Sequence, residues 1–350
     1  MASVVITGAG GFLGTQLTRT FLAAGHAVRA ADLASADLSL HRELGAEAVV
    51  ADVTDRDGMR AAAEGADVVV HAAGIFDLAA DPQRLEQVNV EGARTTAEVA
   101  AGAGVKRFVL VGSTSIYGQS PPRVREDAPA RAGNAYGRSK WAGECAVTEV
   151  CDRHGLPLAV LRPTLLYGPG SRYGLAPFVA VLALRRRAGK TLPIARGGPL
   201  IHLVHVDDVA RAALLVATDD RASGAFNVAD EEPLAAGDLL RVLADRVGVE
   251  IRDRALPWCT VRAARPLKSM LARVFSKQNE KIAALWSRLD LEPAIVARVD
   301  VDWMDFLARD NTYDTGRLGA LGFTCAHPDP RTGLAETIDW YRAQRWIPER

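Results

Sequence analysis

Residues 4–14 read VVITGAGGFLG, and this stretch decides the fold class. An apolar run of strand-forming residues ends in three spaced glycines, and an amphipathic segment over 15–24 follows. In such a pattern Gly8 permits a tight turn, Gly11 lets the backbone approach a phosphate, and Gly14 allows close packing of the helix on the strand. The N–H groups that open the helix then face the phosphates. A purely structural glycine turn is the alternative. The expected dinucleotide-binding residues of this turn are Gly8, Gly11, Phe12, Leu13 and Gly14.

Short apolar runs alternate with helical segments through the first two-thirds of the chain. This alternation predicts a parallel sheet covered by helices on both faces, a Rossmann-type doubly wound α/β fold with a smaller, mainly helical C-terminal lobe. The predicted strands are Val4–Ile6, Ala27–Ala31, Glu47–Val50, Val68–His71, Phe108–Val111 and Leu158–Leu161. We expect the nucleotide-binding domain to comprise residues 1–165 and 201–222, and the substrate-binding lobe residues 166–200 and 223–350.

The bulk composition is that of an ordinary globular protein. The 350 residues suffice for one large or two smaller domains. Because 42 basic residues balance 42 acidic ones, no attraction to nucleic acid is expected, and a small-molecule partner is favoured. A strand beginning at Val4 leaves no room for a signal peptide, no apolar run reaches the length of a bilayer span, and the four cysteines have no zinc spacing. We therefore expect a cytoplasmic protein without a bound metal.

Two acidic positions follow predicted strands and are candidates for binding the adenosine part of a dinucleotide. Asp32 stands 18 residues after Gly14, where a carboxylate accepts hydrogen bonds from a ribose and repels a 2′-phosphate. This favours NAD over NADP, although the nearby Arg29 weakens the preference, and a loop-capping role for Asp32 is the alternative. Asp52 and Val53 are candidates to border the adenine, with a plain turn as the competing interpretation.

A second set of residues has the chemistry of proton transfer. Ser113 follows the strand 108–111, and Tyr136 and Lys140 lie four residues apart in a predicted helix over 135–154, so they share one helix face. A free phenol has a pKa of about 10, and we expect the neighbouring ammonium to lower it toward neutrality. Ser113 would hold the substrate oxygen beside the phenol. A solvated tyrosine–lysine pair is the alternative if the glycine turn is disregarded.

In these motifs the chain resembles the short-chain dehydrogenase/reductases, specifically the extended branch with epimerases, dehydratases and 3β-hydroxysteroid dehydrogenase-like enzymes. The resemblance spans roughly residues 3–230 and rests on TGxxGxxG at 7–14, HAAG at 71–74, NVEG at 89–92, STS at 113–115, YxxxK at 136–140, LRP at 161–163, YGPG at 167–170 and HVDDVA at 205–210.

The resemblance implies specific roles for these residues. Tyr136 is the general acid/base, Lys140 also binds the nicotinamide ribose, and Ser113 assists. Ala72, Ala73 and Pro163, from the same motifs, complete the expected cofactor-binding set. The resemblance further implies that the C-terminal lobe forms the substrate pocket, and that a homodimer assembles through the helices over 83–103 and 135–154.

Four departures from the family patterns narrow the substrate class, and one is that the last third of the chain contains no Arg-Pro-Gly-Asp element of the kind found in sugar-nucleotide enzymes. Thr164 stands where sugar-nucleotide enzymes tend to have Asn, and Ile201 where they tend to have Arg, so the charge-assisted bonds to a diphosphate are lost. Thr114-Ser115 replaces the Asp-Glu pair of dehydratases. We therefore predict an NAD(H)-dependent enzyme that interconverts a secondary alcohol and a ketone on an apolar or alicyclic substrate. A sugar or sugar-nucleotide epimerase and a non-catalytic NAD sensor are the alternatives.

Two histidines and one basic segment suggest functional roles, but a structural interpretation is favoured for each. His71 and His205 are interpreted as packed core histidines rather than catalysts. The basic segment 262–288 contains apolar residues at helical spacing, namely Leu267, Met270, Leu271, Val274 and Phe275. A helix that packs this apolar face on the substrate pocket is favoured over one that lies on a membrane surface.

Overall fold

The computed structural model describes residues 1–76, 80–118, 120–252, 258–301 and 303–349. The chain forms two compact units. The first unit comprises Met1–Thr164, Val206–Ala229 and Tyr313–Ala326, and the second comprises Leu165–His205, Asp230–Thr312 and His327–Arg350.

The strands are β1 (Ser3–Thr7), β2 (Ala27–Asp32), β3 (Glu47–Val50), β4 (Val68–His71), β5 (Arg107–Val111), β6 (Leu158–Pro163), β7 (Leu165–Tyr167), β8 (Leu192–Pro193), β9 (Leu200–Ile201), β10 (Leu203–His205), β11 (Gly224–Val228), β12 (Leu234–Ala235) and β13 (Ile251–Arg252). The helices are α1 (Phe12–Ala23), α2 (Ser39–Glu43), α3 (Arg56–Ala63), α4 (Pro82–Leu85), α5 (Ala93–Gly102), α6 (Ala135–His154), α7 (Ala176–Arg187), α8 (Val206–Thr218), α9 (Ala236–Val247), α10 (Cys259–Ala264), α11 (Lys268–Trp286), α12 (Trp303–Phe306), α13 (Gly316–Gly319) and α14 (Pro330–Ala343). A π-helical segment, Glu86–Gly92, joins α4 to α5.

The first unit is built on a seven-stranded sheet in the order β11-β6-β5-β4-β1-β2-β3. All neighbours pair in parallel, with Val5 opposite Arg29 on one side of β1 and opposite Val69 on the other. This confirms the predicted doubly wound fold, and all six predicted strands are present. Most residues of the strands are apolar because helices bury both faces of the sheet.

The strand order places a switch point beside β1. The chain runs outward from β1 through β2 to β3 and then returns to form β4 on the other side of β1. In open parallel sheets, ligands bind outside the carboxyl ends of the strands at this point. The turns after β1, β4 and β5 therefore form the candidate site.

Helix α6 begins and ends where the sequence predicts. Its N-cap residue, Asn134, accepts a hydrogen bond from the Gly137 N–H over 2.7 Å, and Gly155 ends it in the left-handed conformation. Its buried side, which includes Val147 and Val150, packs in the same core as Phe108 of β5. This packing holds the N-terminal turn of α6 in place.

The observed units differ from the predicted domain boundaries after residue 200, and residues 201–205, which we assigned to the nucleotide-binding domain, lie in the second unit. β11 pairs with β6, with Phe226 opposite Leu161, so residues 224–228 extend the central sheet although we assigned them to the C-terminal lobe. Residues 313–326 also lie in the first unit, where Asp314 O accepts a hydrogen bond from Asn227 Nδ2. Such long-range pairing leaves no local signal in the sequence.

The second unit combines helices with three two-stranded sheets around its own apolar core. The expected inward packing of the basic segment 262–288 is wrong for Leu267, Met270 and Val274, which are exposed, whereas Leu271 and Phe275 are half-buried. The side of α11 that faces the core instead contains Ile282 and the buried Trp286. No helix in the described part of the chain combines the length and the apolar character needed to cross a bilayer.

Candidate active site

The turn after β1 is built from closely packed backbone, and side chains at its glycines would collide with neighbouring backbone atoms. Gly8 has φ +69°, and a Cβ added there would lie 2.7 Å from Ala73 Cα. A Cβ on Gly14 would lie 2.0 Å from the carbonyl oxygen of Gly8. Gly11 is the N-cap of α1 and offers no side-chain cap, and no acidic residue occupies the first turn. The first N–H groups of α1 therefore remain available to an anion, which fits a pyrophosphate.

Gly14→Ala is expected to disrupt this turn. A methyl group there collides with backbone, so α1 must move away from the Gly8 carbonyl, and we expect the free energy of unfolding to fall by about 1–3 kcal/mol. NADH affinity, measured by fluorescence titration, should fall by about tenfold or more. Gly102→Ala in α5 is the matched control, because its added Cβ meets nothing within 4 Å. Equal affinities for the two variants would show that the turn does not contact the cofactor.

Asp32 lies at the edge of the glycine turn. Its carboxylate accepts hydrogen bonds from the Gly10 N–H over 2.8 Å and from the Leu33 N–H over 2.7 Å. Arg29, the cation expected to weaken an NAD preference, instead donates to Glu47 Oε2 over 3.2 Å and to the Ala62 carbonyl over 3.1 Å. The negative charge at the turn is thus retained, as NAD selectivity requires.

The remaining expected cofactor residues lie at the same edge of the sheet. Asp52 caps its own turn by accepting from the Thr54 N–H and hydroxyl over 2.9 and 2.8 Å. Val53 is buried against Gly92. The Pro163 carbonyl, at the end of β6, accepts a hydrogen bond from the Thr114 hydroxyl over 3.3 Å. Their contacts with adenine or nicotinamide remain predictions.

The segment after β4 connects the glycine turn to helix α6. Ala73 lies against Gly8, as described above, and its N–H donates to Thr7 Oγ1 over 3.3 Å. A Cβ on the next residue, Gly74, would lie 3.9 Å from Lys140 Nζ. The expected phosphate site and the expected proton-transfer residues therefore lie at the same carboxyl edge of the sheet, with the consecutive residues Ala73 and Gly74 between them.

Asn89 holds this arrangement together, a role that we did not predict. Its amide accepts from the Ile75 N–H over 2.8 Å, donates to the Ile75 carbonyl over 3.2 Å, and donates to Ser139 Oγ over 3.0 Å. It lies in the π-helical segment, a distortion that often marks functional sites. The signal available in the sequence was the NVEG motif, which contains Asn89 but does not indicate its partners.

Tyr136 is buried, with 8% of its surface exposed, and a hydrogen bond from the Ser113 side chain reaches it. Its ring meets that of Phe76 edge to face, with centroids 5.0 Å apart. Burial raises the pKa of Tyr136 to about 12, against a smaller lowering by the Ser113 hydrogen bond. The pKa lowering expected from Lys140 is therefore absent from the protein alone, because removal of water from around the phenol dominates.

Lys140 points from α6 toward the end of β5. Its Nζ donates a hydrogen bond to the Val111 carbonyl over 2.7 Å. Burial lowers the pKa of Lys140 to about 8, while the Glu144 carboxylate one helical turn later opposes this shift. Because the folded-state pKa lies below that of the unfolded chain, burying this cation costs stability below about pH 8, and the cost shrinks as the pH rises through 8 toward 10.5.

The two histidines are core residues, as predicted. His71 Nδ1 is 3.0 Å from Thr7 Oγ1, and its ring stacks near Phe108. Burial lowers the pKa of His71 to about 3, so the ring is neutral. In the second unit, His205 is buried and packs on the rings of Tyr167 and His327.

Comparison with known proteins agrees with this geometry. The model of the NAD dependent epimerase/dehydratase family matches residues 4–229. This protein belongs to that family. Membership in the NAD dependent epimerase/dehydratase family confirms the resemblance described above, the assignment as an enzyme and the expectation of NAD as cofactor.

Relatives cover the chain to different extents. The ceramide reductase of Caulobacter vibrioides is 28% identical over 354 residues, which span 99% of this chain and 96% of that protein. The 3β-hydroxysteroid dehydrogenase/Δ5→4-isomerase of Mycobacterium tuberculosis is 29% identical over 71% of this chain and 70% of its own length. An uncharacterized protein of Sinorhizobium fredii is 29% identical over 77% of this chain, and the alignment covers 66% of that protein, just under two thirds.

Among solved structures, the UDP-glucose 4-epimerase of Thermotoga maritima superposes on this chain with a TM-score of 0.71 at 21% identity. The superposition covers 97% of this chain and 99% of that one. At this identity the likeness shows the shared fold.

Proposed function

We propose that the protein is an NAD(H)-dependent oxidoreductase that interconverts a secondary alcohol and a ketone on a largely apolar substrate. The observation that carries the proposal is the buried Tyr136 phenol, which receives a hydrogen bond from Ser113 and lies one helical turn before Lys140, at the same carboxyl edge of the sheet as the glycine turn. A binding protein that only senses NAD has no need for this proton-transfer set.

In the direction of ketone reduction, the Tyr136 phenol acts as the general acid. With a pKa of about 12, the phenol keeps its proton at neutral pH and can give it to a carbonyl oxygen. Held by the glycine turn, the cofactor would supply a hydride as NADH or accept one as NAD⁺. Ser113 binds the same carbonyl oxygen and holds it beside the phenol, and the Lys140 ammonium stabilises the phenolate that remains. The substrate thus gains one hydride at carbon and one proton at oxygen, and the reverse steps oxidise the alcohol.

Three observations support an apolar substrate. Phe76, which is 40% exposed, presents an aromatic surface directly beside the reacting phenol. Ile201 lies in the apolar core of the second unit, so this position supplies no cation for a diphosphate. Among the relatives are a ceramide reductase and hydroxysteroid dehydrogenases, and both names refer to lipid-like substrates.

A substrate panel tests the proposal. Long-chain and steroid ketones, the matching alcohols, and UDP- and dTDP-sugars are each incubated with NADH or NAD⁺, the NADH absorbance is followed, and the products are separated by chromatography. We expect NADH consumption with at least one apolar ketone and NADH formation with its alcohol. Conversion confined to sugar nucleotides, with no net change in NADH, would instead establish an epimerase.

A further inference from the structure

Helix α11 of the second unit exposes a mixed apolar and basic stripe. The α11 stripe consists of Met270, Val274, Lys277, Lys281 and Leu285. Successive members are three or four residues apart, so they share one side of the helix. The exposed fractions of Met270, Val274 and Leu285 are 55%, 46% and 52%, and both lysines are exposed. A folded protein seldom exposes several large apolar side chains in one row without a partner.

The packing of the opposite side of α11 keeps the α11 stripe exposed to solvent. Ile282 packs on the core of the second unit, and Trp286 is buried in it. The Trp286 indole N–H donates a hydrogen bond to the Ile295 carbonyl over 2.9 Å. Leu267 and Val296, at 51% and 63% exposure, add apolar surface near the two ends of the helix. Rotating α11 to bury Met270 and Val274 would remove Trp286 from the core.

The positive charge of residues 262–288 indicates which kind of partner covers the α11 stripe. The whole chain is neutral, but residues 262–288 contain seven cations and one acid, Glu280. The exposed cations of this segment are Arg262, Arg273, Lys277, Lys281 and Arg288. A partner must therefore be anionic and also accept apolar side chains. A nucleic acid backbone meets the first requirement but offers no apolar phase to Met270 and Leu285.

We propose that α11 docks on the surface of an anionic lipid bilayer. Met270, Val274 and Leu285 enter the boundary between headgroups and acyl chains. Lys277 and Lys281 lie in the same row, and their long side chains extend to the lipid phosphates. The proposal does not depend on the proposed reaction, since it concerns binding to a surface and not turnover.

Vesicle flotation of the whole protein tests this docking. We expect co-flotation with vesicles of phosphatidylglycerol and phosphatidylcholine, little with phosphatidylcholine alone, and weaker binding at high salt. Lys277→Glu/Lys281→Glu should lower the partition coefficient by about 25-fold or more, because each lysine at an anionic surface contributes about fivefold. Arg19→Glu/Lys190→Glu is the matched control, because it makes the same change in charge at two exposed cations outside this segment.

Met270→Ser/Val274→Ser tests the apolar part separately, and NADH titration shows that each variant is folded. A loss of vesicle binding in this variant supports insertion. Absence of binding to anionic vesicles, equal binding to neutral ones, equal effects of the two charge-reversal variants, or unchanged binding of the serine variant would each overturn the proposal. If the protein does not bind anionic vesicles, an acidic protein segment becomes the better partner for the α11 stripe.

Discussion

Tyr136→Phe is expected to lower kcat by about 10²–10⁴-fold while leaving NADH affinity nearly unchanged. The substitution removes only the hydroxyl that exchanges a proton with the substrate oxygen, and a positioned acid or base contributes a factor of this size. The phenyl ring still meets Phe76 edge to face, so the packing of the site is kept. Steady-state turnover with the best ketone from the panel and NADH fluorescence titration measure the two quantities.

Tyr173→Phe is the matched control for this variant. It removes the same hydroxyl from a tyrosine that is 54% exposed and lies in the second unit. We expect it to retain turnover within about twofold, as is usual for surface substitutions. Retention of most of the turnover in Tyr136→Phe would contradict the proposed role of the phenol, whatever the substrate proves to be.

The second large effect concerns the stability of the sheet behind the site. Arg162 at the end of β6 donates to both oxygens of Glu144 on α6, and each side chain is 6% exposed. Arg162 Nη1 also donates to the Tyr117 hydroxyl over 2.7 Å, and that hydroxyl donates to Asn227 Oδ1 over 2.8 Å. Arg162→Met is expected to lower the free energy of unfolding by about 3–5 kcal/mol, because it leaves the Glu144 carboxylate buried without its cation.

The double variant Glu144→Leu/Arg162→Met separates an unpaired charge from simple loss of packing. With both charges removed, we expect much of the stability to return, because two apolar side chains avoid the desolvation cost of the ion pair. Urea denaturation followed by circular dichroism measures both variants. Arg162 Nη1 also donates to the Glu126 carbonyl over 2.8 Å. If the double variant is as unstable as Arg162→Met, then the lost hydrogen bonds to the Tyr117 hydroxyl and the Glu126 carbonyl account for the effect, and the buried carboxylate does not.

The parts of the fold that local patterns encode were predicted correctly. The glycine turn, the six strands and helix α6 each depend on residues close together in the chain, such as Asn134 and Gly155 at the ends of α6. β11 was missed because its place in the sheet depends on pairing with β6, more than 60 residues earlier. The apolar spacing in α11 predicted a helix correctly but not which of its sides faces the core.

For the candidate site, the residue types could be predicted from the sequence, but the pKa shifts of those residues could not. The YxxxK spacing placed Tyr136 and Lys140 on one face, and the direction of the tyrosine pKa shift came out opposite to the expectation. That direction depends on how much water reaches the phenol, which is a property of the packed protein. Asn89 was similarly hidden, because its bond to Ser139 joins residues 50 positions apart.

The amino-acid sequence alone determined the class of fold and the location of the glycine turn, and it predicts which residues transfer the proton, because each follows from short-range spacing and side-chain chemistry. The tertiary structure decided that Tyr136 keeps its proton, that Asn89 joins the turn after β4 to α6, and which side of α11 meets solvent. These properties arise from the exclusion of water and from contacts between distant segments, and both exist only after the chain has folded.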